Sequence, residues 1–158
     1  MSFRPLRRTN NAVSEEVAKA LLLNEKRGVL AVNGDDGYPY AIPVDYLYDE
    51  AAGKIYFHGA KQGHKVDSIK KNDKVCFTVF GNEQHDDDWA PTVQSTVVFG
   101  RCHLLETDDA AVELLRKVAD KYYPTKEEAE EEIVKAGRAV QIYEIEIEHL
   151  CGKQIREK

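Results

Sequence analysis

One segment near the end of the chain, AVQIYEIEIEHL at residues 139–150, alternates apolar and acidic side chains. The apolar side of the alternation consists of Tyr143, Ile145 and Ile147. Alternation with a period of two is typical of a β-strand with one buried and one hydrated face. Val140 and Ile142 are out of phase with the apolar set, so we predict a β-bulge between the two sets.

Five other segments have the β-branched and aromatic composition of strands and are separated by turn residues. They cover residues 28–32, 38–48, 54–59, 74–80 and 92–105. The second contains Pro39 and Pro43, and proline is confined to the edges, starts and bulges of sheets. We therefore expect backbone groups around AIPVDY, residues 41–46, to be free to meet a planar polar ligand.

Four segments have the pattern of helices. They are residues 14–27, residues 65–72, a stretch that starts at Thr107, and residues 125–137. Ser14 caps the first helix and Gly28 ends it. Thr125 and Glu128 form a capping box at the start of the last helix, whose acidic run predicts a solvated face. Strands joined mainly by turns and short helices predict a small antiparallel barrel with peripheral helices, in a single domain over residues 1–158.

Composition and charge exclude several classes of function. The chain has 158 residues and a formal net charge of −6, which disfavours general affinity for nucleic acid. No apolar run approaches the ~20 residues that span a bilayer, and the N-terminal segment lacks the apolar centre of a secretory signal. The expectation is a cytoplasmic protein that binds neither nucleic acid nor membrane. Three cysteines without a CxxC pair indicate neither a zinc site nor a disulfide framework.

Familiar catalytic and nucleotide-binding motifs are missing from the sequence. There is no GxGxxG, GxxxxGK, GxSxG or HExxH, and the five histidines have no ligand spacing. We therefore predict no metal site. The segment EQHDDDW at residues 83–89 could hold a hard cation through its carboxylates, but an acidic loop is the favoured interpretation.

The segment IYFHGAKQGHKVDSIKKNDKVCF, residues 55–77, is the main candidate for a binding site. It begins and ends with strand-like runs, and two histidines, two glycines and five lysines lie between them. Alternation along the first strand places Ile55 and Phe57 on one face, with Tyr56 and His58 on the other.

The turn within this segment has the features of an anion site. Gly59 and Gly63 bracket it, and glycine allows backbone to come close to a ligand. A helix begins just after Gly63, where free backbone amides beside His64 and Lys65 would attract an anion. The residues alone leave two interpretations open, a cradle for an anion and a solvated lysine-rich turn.

A weaker signal lies in the segment STVVFG, residues 95–100. Ser95 has a hydroxyl that can donate a hydrogen bond at the mouth of a strand. Gly100 permits close approach, because it has no side chain. Each feature is weak alone, since a serine in a strand usually faces water.

Taken in order, these segments resemble a known family. The elements that carry the resemblance are YPYAIPVDY, YFHGAKQGHK, Trp89, VVFG and the closing LCGK. They are similar to the pyridoxamine 5′-phosphate oxidase-like flavoproteins, in particular to the nitroimidazole-resistance branch, over about residues 15–155. The order and spacing of the elements support the resemblance, because no single motif is diagnostic.

The resemblance implies a mainly β fold, a split β-barrel of the FMN-binding type with six or more antiparallel strands and peripheral helices. It also implies a homodimer with FMN in clefts at the dimer interface. The implied cofactor-binding residues are Ile42, Pro43, Val44, Asp45, Tyr46, His58, Gly59, Ala60, His64, Lys65, Trp89 and Ser95. His58 is also the implied catalytic residue, because it matches a histidine near the flavin that is proposed to act in catalysis.

The resemblance also assigns roles within that set. Lys65, His64 and Ser95 would hold the phosphate, and Trp89 would cover the ring from the partner chain unless it is an ordinary core or loop aromatic. Arginine is frequent in the family where this chain has His64, so the affinity for FMN is expected to depend on pH. The acidic loop at residues 81–90 corresponds to no feature of the family.

The leading functional hypothesis is an FMN-dependent oxidoreductase that reduces a small aromatic, nitro or quinone-type acceptor. NAD(P)H would bind transiently as electron donor, because the chain has no dedicated nucleotide domain. The alternatives are a non-catalytic flavin- or haem-binding module of the same superfamily and a pyridoxal-phosphate oxidase proper. The lack of haem motifs, and of the oxidase's longer basic tail, argues against haem and against that oxidase.

Overall fold

The computed structural model describes residues 2–85 and 89–156, which form one curled sheet of seven antiparallel strands with helices around it. The strands are β1 Arg27–Asn33, β2 Pro39–Asp45, β3 Leu47–Asp49, β4 Lys54–Gly59, β5 Lys74–Gln84, β6 Thr92–Leu105 and β7 Gln141–Arg156. Their order in the sheet is β2-β1-β5-β6-β7-β4-β3. Because the consecutive strands β2 and β3 lie at its two ends, the sheet curls until its edges approach each other. The predicted antiparallel split barrel is confirmed.

Four α-helices in the described part of the chain pack around this sheet. They are α1 Glu15–Asn24, α2 His64–Lys71, α3 Asp109–Tyr122 and α4 Lys126–Ala136. Both predicted caps are confirmed, since Ser14 accepts a hydrogen bond from the Val17 amide and Thr125 accepts one from the Glu128 amide. No helix in these parts of the chain has the length and hydropathy that a bilayer span requires.

Two predicted helix boundaries are wrong. The first helix ends at Asn24 and not at residue 27, because Arg27 already belongs to β1, where it pairs with Asp45. The third helix begins at Asp109, and its cap is Asp108 and not Thr107. A carboxylate one residue closer to the helix satisfies its first amides, so the threonine stays outside it.

The predicted strand at residues 38–48 is two strands, divided at Tyr46. The side chain of Tyr46 is fully buried, and its hydroxyl donates to the carbonyl of Leu22 in α1. Its ring meets Phe77 edge-on at a centroid distance of 5.0 Å. Burying this residue in the barrel core bends the chain away from β1, which is why β3 forms at the opposite edge of the sheet.

The out-of-phase residues of β7 reflect two cores on its two faces. Tyr143 and Ile145 lie in the barrel core, whereas Ile142 lies in a second core with α3 and α4. The pairing is regular here, with Ile142 opposite His58 of β4. The predicted bulge at this place is wrong, because a strand covered on both faces buries neighbouring residues without breaking its ladder.

The irregularity of β7 lies further along the strand. Phe99 of β6 pairs with His149, but the next residue, Gly100, pairs with Ile147. A Cβ atom at Gly100 would lie 2.2 Å from the carbonyl oxygen of Glu146. The close approach predicted at Gly100 is therefore made by the backbone of the neighbouring strand.

The second core fixes the helical layer beside the end of β4. Its buried residues are Ala111, Leu115, Ala119, Ala129, Ile133 and Ile142. Arg116 of α3 forms ion pairs with Glu113 and with Glu130 of α4, so the two helices are also joined at the surface. This layer covers part of the outer face of the sheet and forms a wall near His58.

Candidate functional site

The end of β4 presents His58 on the outside of the barrel. Ile55 and Phe57 are fully buried in the barrel core, as the predicted alternation requires. His58 pairs with Ile142, and Tyr56 pairs with Glu144, which lies on the outer face. The predicted division of this strand into two faces is confirmed.

The helix α2 begins without a side-chain cap among the described residues. Gly63 precedes it with a φ of +135°, a conformation that favours glycine. The helix closes its first turn with a hydrogen bond from the Asp67 amide to the Gly63 carbonyl. The amides of His64, Lys65 and Val66 have no partner within the helix. They and the positive end of the helix dipole make this turn a suitable place for an anion.

Lys65 lies across the end of the barrel. Its ammonium nitrogen is 5.8 Å from the centroid of the Tyr143 ring and 3.5 Å from the position that a Cβ at Gly59 would occupy. The hydroxyl of Tyr143 donates to the carbonyl of Ala60 at 3.2 Å and orders the turn. Lys65 forms no ion pair with a carboxylate of the described chain, so its charge is available to a ligand.

The ring of His64 points toward another part of the chain. It stacks on Tyr40 with 4.0 Å between ring centroids, and its Nε2 lies 3.8 Å from a carboxylate oxygen of Asp35. These contacts engage the imidazole with the turn before β2. The backbone amide of His64 stays at the start of α2.

The environment of His58 favours the neutral imidazole. Burial among its neighbours lowers the pKa of His58, although part of the residue reaches solvent, and the positive charge of Lys65 acts in the same direction. The carboxylate of Asp45 opposes the shift but does not overcome it. Asp45 also pairs with Arg27 at 3.1 Å. At pH 7 we therefore expect His58 to be uncharged and able both to donate and to accept a hydrogen bond.

The strand β2 offers a free edge next to this region. It is an end strand of the sheet, so Pro39 and Pro43 lie where proline is tolerated. Ala41, Pro43 and Asp45 are exposed, while Ile42 and Val44 pack against the barrel core. Because β2 is an end strand, backbone groups on its outer side face no further strand of the described sheet, as the prediction for this segment requires.

Tyr46, at the end of this predicted segment, is different because its backbone is already bonded. Its amide donates to the hydroxyl of Tyr122 at 2.7 Å, and its carbonyl accepts from the ammonium of Lys121 at 3.0 Å. Lys121 also donates to the carbonyl of Glu25 at 2.7 Å. No local sequence pattern indicates this junction, because its partners are distant in the chain.

A pocket of about 370 Å³ opens beside His58, between the sheet and the layer of α3 and α4. The volume lies within the range typical of small-molecule sites. The residues that line it are Asp45, His58, Leu115, Val118, Ala119, Tyr122, Tyr123, Glu132, Ile133, Ala136, Gly137 and Val140. Two of the predicted site residues, Asp45 and His58, therefore meet in one concave site.

Ser95 and Trp89 lie away from this region within one chain. Ser95 pairs with Lys153, whereas Leu105, at the other end of β6, is level with Ile142 and thus with His58. At a rise of about 3.3 Å per residue, Ser95 and Leu105 are separated by roughly 30 Å along β6. Trp89 is 71% exposed, and residues 86–88 of the predicted acidic loop lie outside the described residues.

Lys121 gives a pH dependence of stability that can be tested. Burial lowers the pKa of Lys121 to about 8, with a further lowering by Lys26 and an opposing effect of Asp45 and Glu25. As pH rises through this value the folded chain loses the proton, while the unfolded chain keeps it up to about 10.4. The free energy of unfolding therefore rises with pH in this window. We expect the parent to gain about 1–2 kcal/mol relative to Lys121→Met between roughly pH 8 and 10, after discounting for solvent screening.

Urea denaturation at several pH values measures this difference. The subtraction cancels the titration of the buried tyrosines, which the two proteins share. Lys117→Met, an exposed change in the same helix, is the matched control and should show no pH-dependent difference from the parent. A difference between parent and Lys121→Met that stays constant over the window would contradict the assignment.

Comparison with known proteins identifies the family. The sequence model of the pyridoxamine 5′-phosphate oxidase family matches residues 14–154, so the chain belongs to this family, as the resemblance predicted. Among curated proteins, none matches the chain.

Three solved structures show the breadth of the fold. A candidate 5-nitroimidazole antibiotic resistance protein of Bacteroides thetaiotaomicron has a TM-score of 0.70 at 16% identity, covering 92% of this chain and 87% of its own. An FAD-binding protein of Mesorhizobium loti has a TM-score of 0.64 at 23% identity, covering 91% of this chain and 96% of its own. The flavocytochrome Anf3 of Azotobacter vinelandii has a TM-score of 0.73 at 19% identity, covering 94% of this chain and 71% of its own. At these identities, the similarities establish the common fold.

Proposed function

We propose that the protein binds a flavin, FMN in the first instance, and works as an oxidoreductase on small acceptors. The observation that carries the proposal is the uncapped start of α2 beside the Lys65 ammonium, which has no carboxylate partner in the described chain. A phosphate group fits this combination, because it accepts hydrogen bonds from backbone amides and is attracted by both positive charges.

The surroundings of this turn support a flavin as the bearer of the phosphate. The free edge of β2, with its exposed proline, offers carbonyl and amide groups to a flat polar ring. His58 stands at the same end of the barrel as Lys65, near enough for the ammonium to influence its pKa. Membership in the oxidase family supports a flavin, and so does the Mesorhizobium loti relative, which is described as FAD-binding.

A bound flavin would supply reversible electron and hydride chemistry, and the protein would supply binding and orientation. Lys65 and the first amides of α2 hold the phosphate. The edge of β2, from residue 41 to residue 45, positions the ring. His58 orients the acceptor through a ring nitrogen and exchanges a proton with it, and the helical layer limits access of water.

We also propose that the working form is a two-fold homodimer. Ser95 lies far along β6 from the level of His58 in one chain, and Trp89 precedes the same far end of β6, so both would serve the site only from a second chain. Phe80 and Trp89 are 69% and 71% exposed, and large exposed aromatic side chains are enriched at interfaces. A two-fold axis would repeat every contact and give two equivalent sites.

Absorbance spectra of the purified protein, before and after addition of FMN or FAD and removal of the excess, test the proposal. We expect one flavin per chain, preferably FMN, and anaerobic bleaching by NAD(P)H followed by reoxidation with a quinone. Light scattering of the same sample should give the mass of a dimer. Failure to retain either flavin would overturn the proposed function. If the protein retains flavin but NAD(P)H does not bleach it, the function is limited to flavin binding.

A further inference from the structure

We propose that the pocket beside His58 is the acceptor site and that it selects small, largely apolar acceptors without an anionic group. The inference rests on the proposed flavin function and adds the class of substrate to it. It is carried by the side chains that line the pocket, in particular by Glu132.

The lining of the pocket suits a small apolar molecule. One wall is formed by α3 and the other by α4, and His58 and Asp45 lie at the side of the sheet. The apolar lining consists of Leu115, Val118, Ala119, Ile133, Ala136 and Val140. Tyr122 and Tyr123 add aromatic surface. A ligand that enters the pocket therefore lies between apolar helices and the imidazole of His58.

The charges of the lining discriminate against anions. Two carboxylates, Asp45 and Glu132, line the pocket, and none of the described lining residues is a lysine or arginine. Asp45 is paired with Arg27. Glu132 is exposed at the mouth of the pocket and forms no ion pair with any described residue, so its negative charge is screened by solvent but not paired. An anionic substituent would meet this charge without a cation to balance it.

Two lysines near the pocket do not change this balance. The ammonium of Lys121 is bonded to the carbonyls of Glu25 and Tyr46. Lys65 lies at the start of α2, where the proposed function assigns it to the flavin phosphate. The pocket is therefore unsuited to pyridoxamine phosphate, even though the family is named for its oxidation.

The reaction expected in this pocket balances with a nicotinamide donor. A neutral quinone takes up two electrons and two protons and becomes the hydroquinone. NAD(P)H supplies the hydride, equivalent to two electrons and one proton, and is oxidised to NAD(P)⁺. The second proton comes from solvent by way of a residue at the pocket, for which His58 is placed.

Two naphthoquinones that differ in charge test the inference on the flavin-loaded protein. The probes are neutral 1,4-naphthoquinone and its anionic 2-sulfonate, and the measured quantity is the ratio of their kcat/KM values. We expect Glu132→Lys to shift this ratio toward the sulfonate by roughly tenfold, because a repulsive charge becomes attractive. Glu132→Gln should shift it in the same direction by less.

Glu131→Lys is the matched control, because it makes the same change in net charge on the same helix at a residue that does not line the pocket. Its ratio should equal that of the parent. Calorimetry with 2-naphthol and naphthalene-2-sulfonate gives a second readout that needs no turnover. Glu132→Lys should tighten binding of the sulfonate and leave that of the naphthol within about twofold of the parent.

The outcomes separate the two proposals. A protein that retains no flavin overturns the proposed function, whatever Glu132 does to binding of the naphthalene probes. The acceptor inference alone is overturned if the flavin-loaded proteins reduce quinones but the ratio of kcat/KM for the two quinones is the same in the parent, Glu132→Lys and Glu131→Lys. Equal shifts in Glu132→Lys and Glu131→Lys also overturn it, because they would report the overall charge and not the pocket.

Discussion

Replacement of His58 by alanine is expected to slow electron transfer to a nitro or quinone acceptor by about 10²- to 10⁴-fold, the usual range for general acid–base assistance. The fold and most of the flavin binding should remain, because His58 lies on the outer face of β4 and outside both apolar cores. Reduction of the flavin by its donor should also continue. The effect should therefore be confined to the half-reaction with the acceptor.

Stopped-flow measurement of each half-reaction, normalised to bound flavin, tests this expectation. His103→Ala is a suitable control, since the side chain of His103 is 40% exposed, lies on β6 and pairs with Glu146 at 3.1 Å outside the pocket. It should change the acceptor rate by less than about twofold. Equal acceptor turnover per flavin in His58→Ala and the parent would refute the catalytic assignment. A joint loss of thermal stability and flavin would instead indicate a structural role.

The pH dependence of the acceptor half-reaction gives a further test of the role of His58. Because burial and Lys65 lower the pKa of His58, the protonated form accumulates only below the ordinary imidazole value of about 6.5. If proton donation by His58 limits the acceptor step, the rate of the parent rises as pH falls through this region. The His58→Ala protein should show a flat profile over the same range.

Local patterns carried the parts of the fold that the sequence predicted well. The faces of β4 follow from alternation of four residues, and the caps at Ser14 and Thr125 depend on atoms only three residues away. Pro43 indicated a sheet edge because its missing N–H group excludes it from the middle of a ladder. Each of these signals arises from neighbours in the chain and needs no knowledge of the tertiary structure.

The parts that sequence analysis missed depend on contacts between distant residues. The division of the strand at Tyr46 depends on burial of its side chain against Leu22 and Phe77. The backbone of Tyr46 is also bonded to Tyr122 and Lys121, which are 76 and 75 residues away in the chain. Ile142 looked out of phase because its partner core comes from α3 and α4. The acidic run of α4 is a solvated face, as predicted, because its glutamates are exposed. That Glu132 also borders a pocket depends on the placement of the helix against the sheet.

The candidate site likewise combines residues that the sequence predicted with features that depend on the tertiary structure. Sequence and resemblance predicted His58, Lys65 and Asp45, and the structure brings these three charged or titratable groups to one end of the barrel. It does not bring Ser95 there within one chain. That Ser95 acts together with Lys65 and His58 stays a prediction, and it depends on the dimer. The pocket wall could not be predicted, because the amphipathic pattern of α3 and α4 shows which faces are apolar but not which strand they cover.

Replacement of Lys65 by glutamate is expected to weaken FMN binding by about 3 kcal/mol, or roughly 10²-fold in Kd, if the phosphate lies at the start of α2. The change places a carboxylate next to the phosphate and removes the ammonium that has no other partner in the described chain. Lys65 is half-buried, so the interaction is less screened than a surface pair, and the loss should shrink as salt is added.

Riboflavin, which has the ring of FMN but no phosphate, shows whether the effect belongs to the phosphate. Fluorescence titration of parent and Lys65→Glu with both ligands should give similar riboflavin affinities and very different FMN affinities. Lys70→Glu makes the same charge change at the exposed far end of α2 and should leave both affinities within about threefold of the parent. If a folded Lys65→Glu protein binds FMN as tightly as the parent, the phosphate lies elsewhere. If it loses riboflavin and FMN equally, Lys65 contacts the ring or supports the turn, and the start of α2 is not the phosphate site.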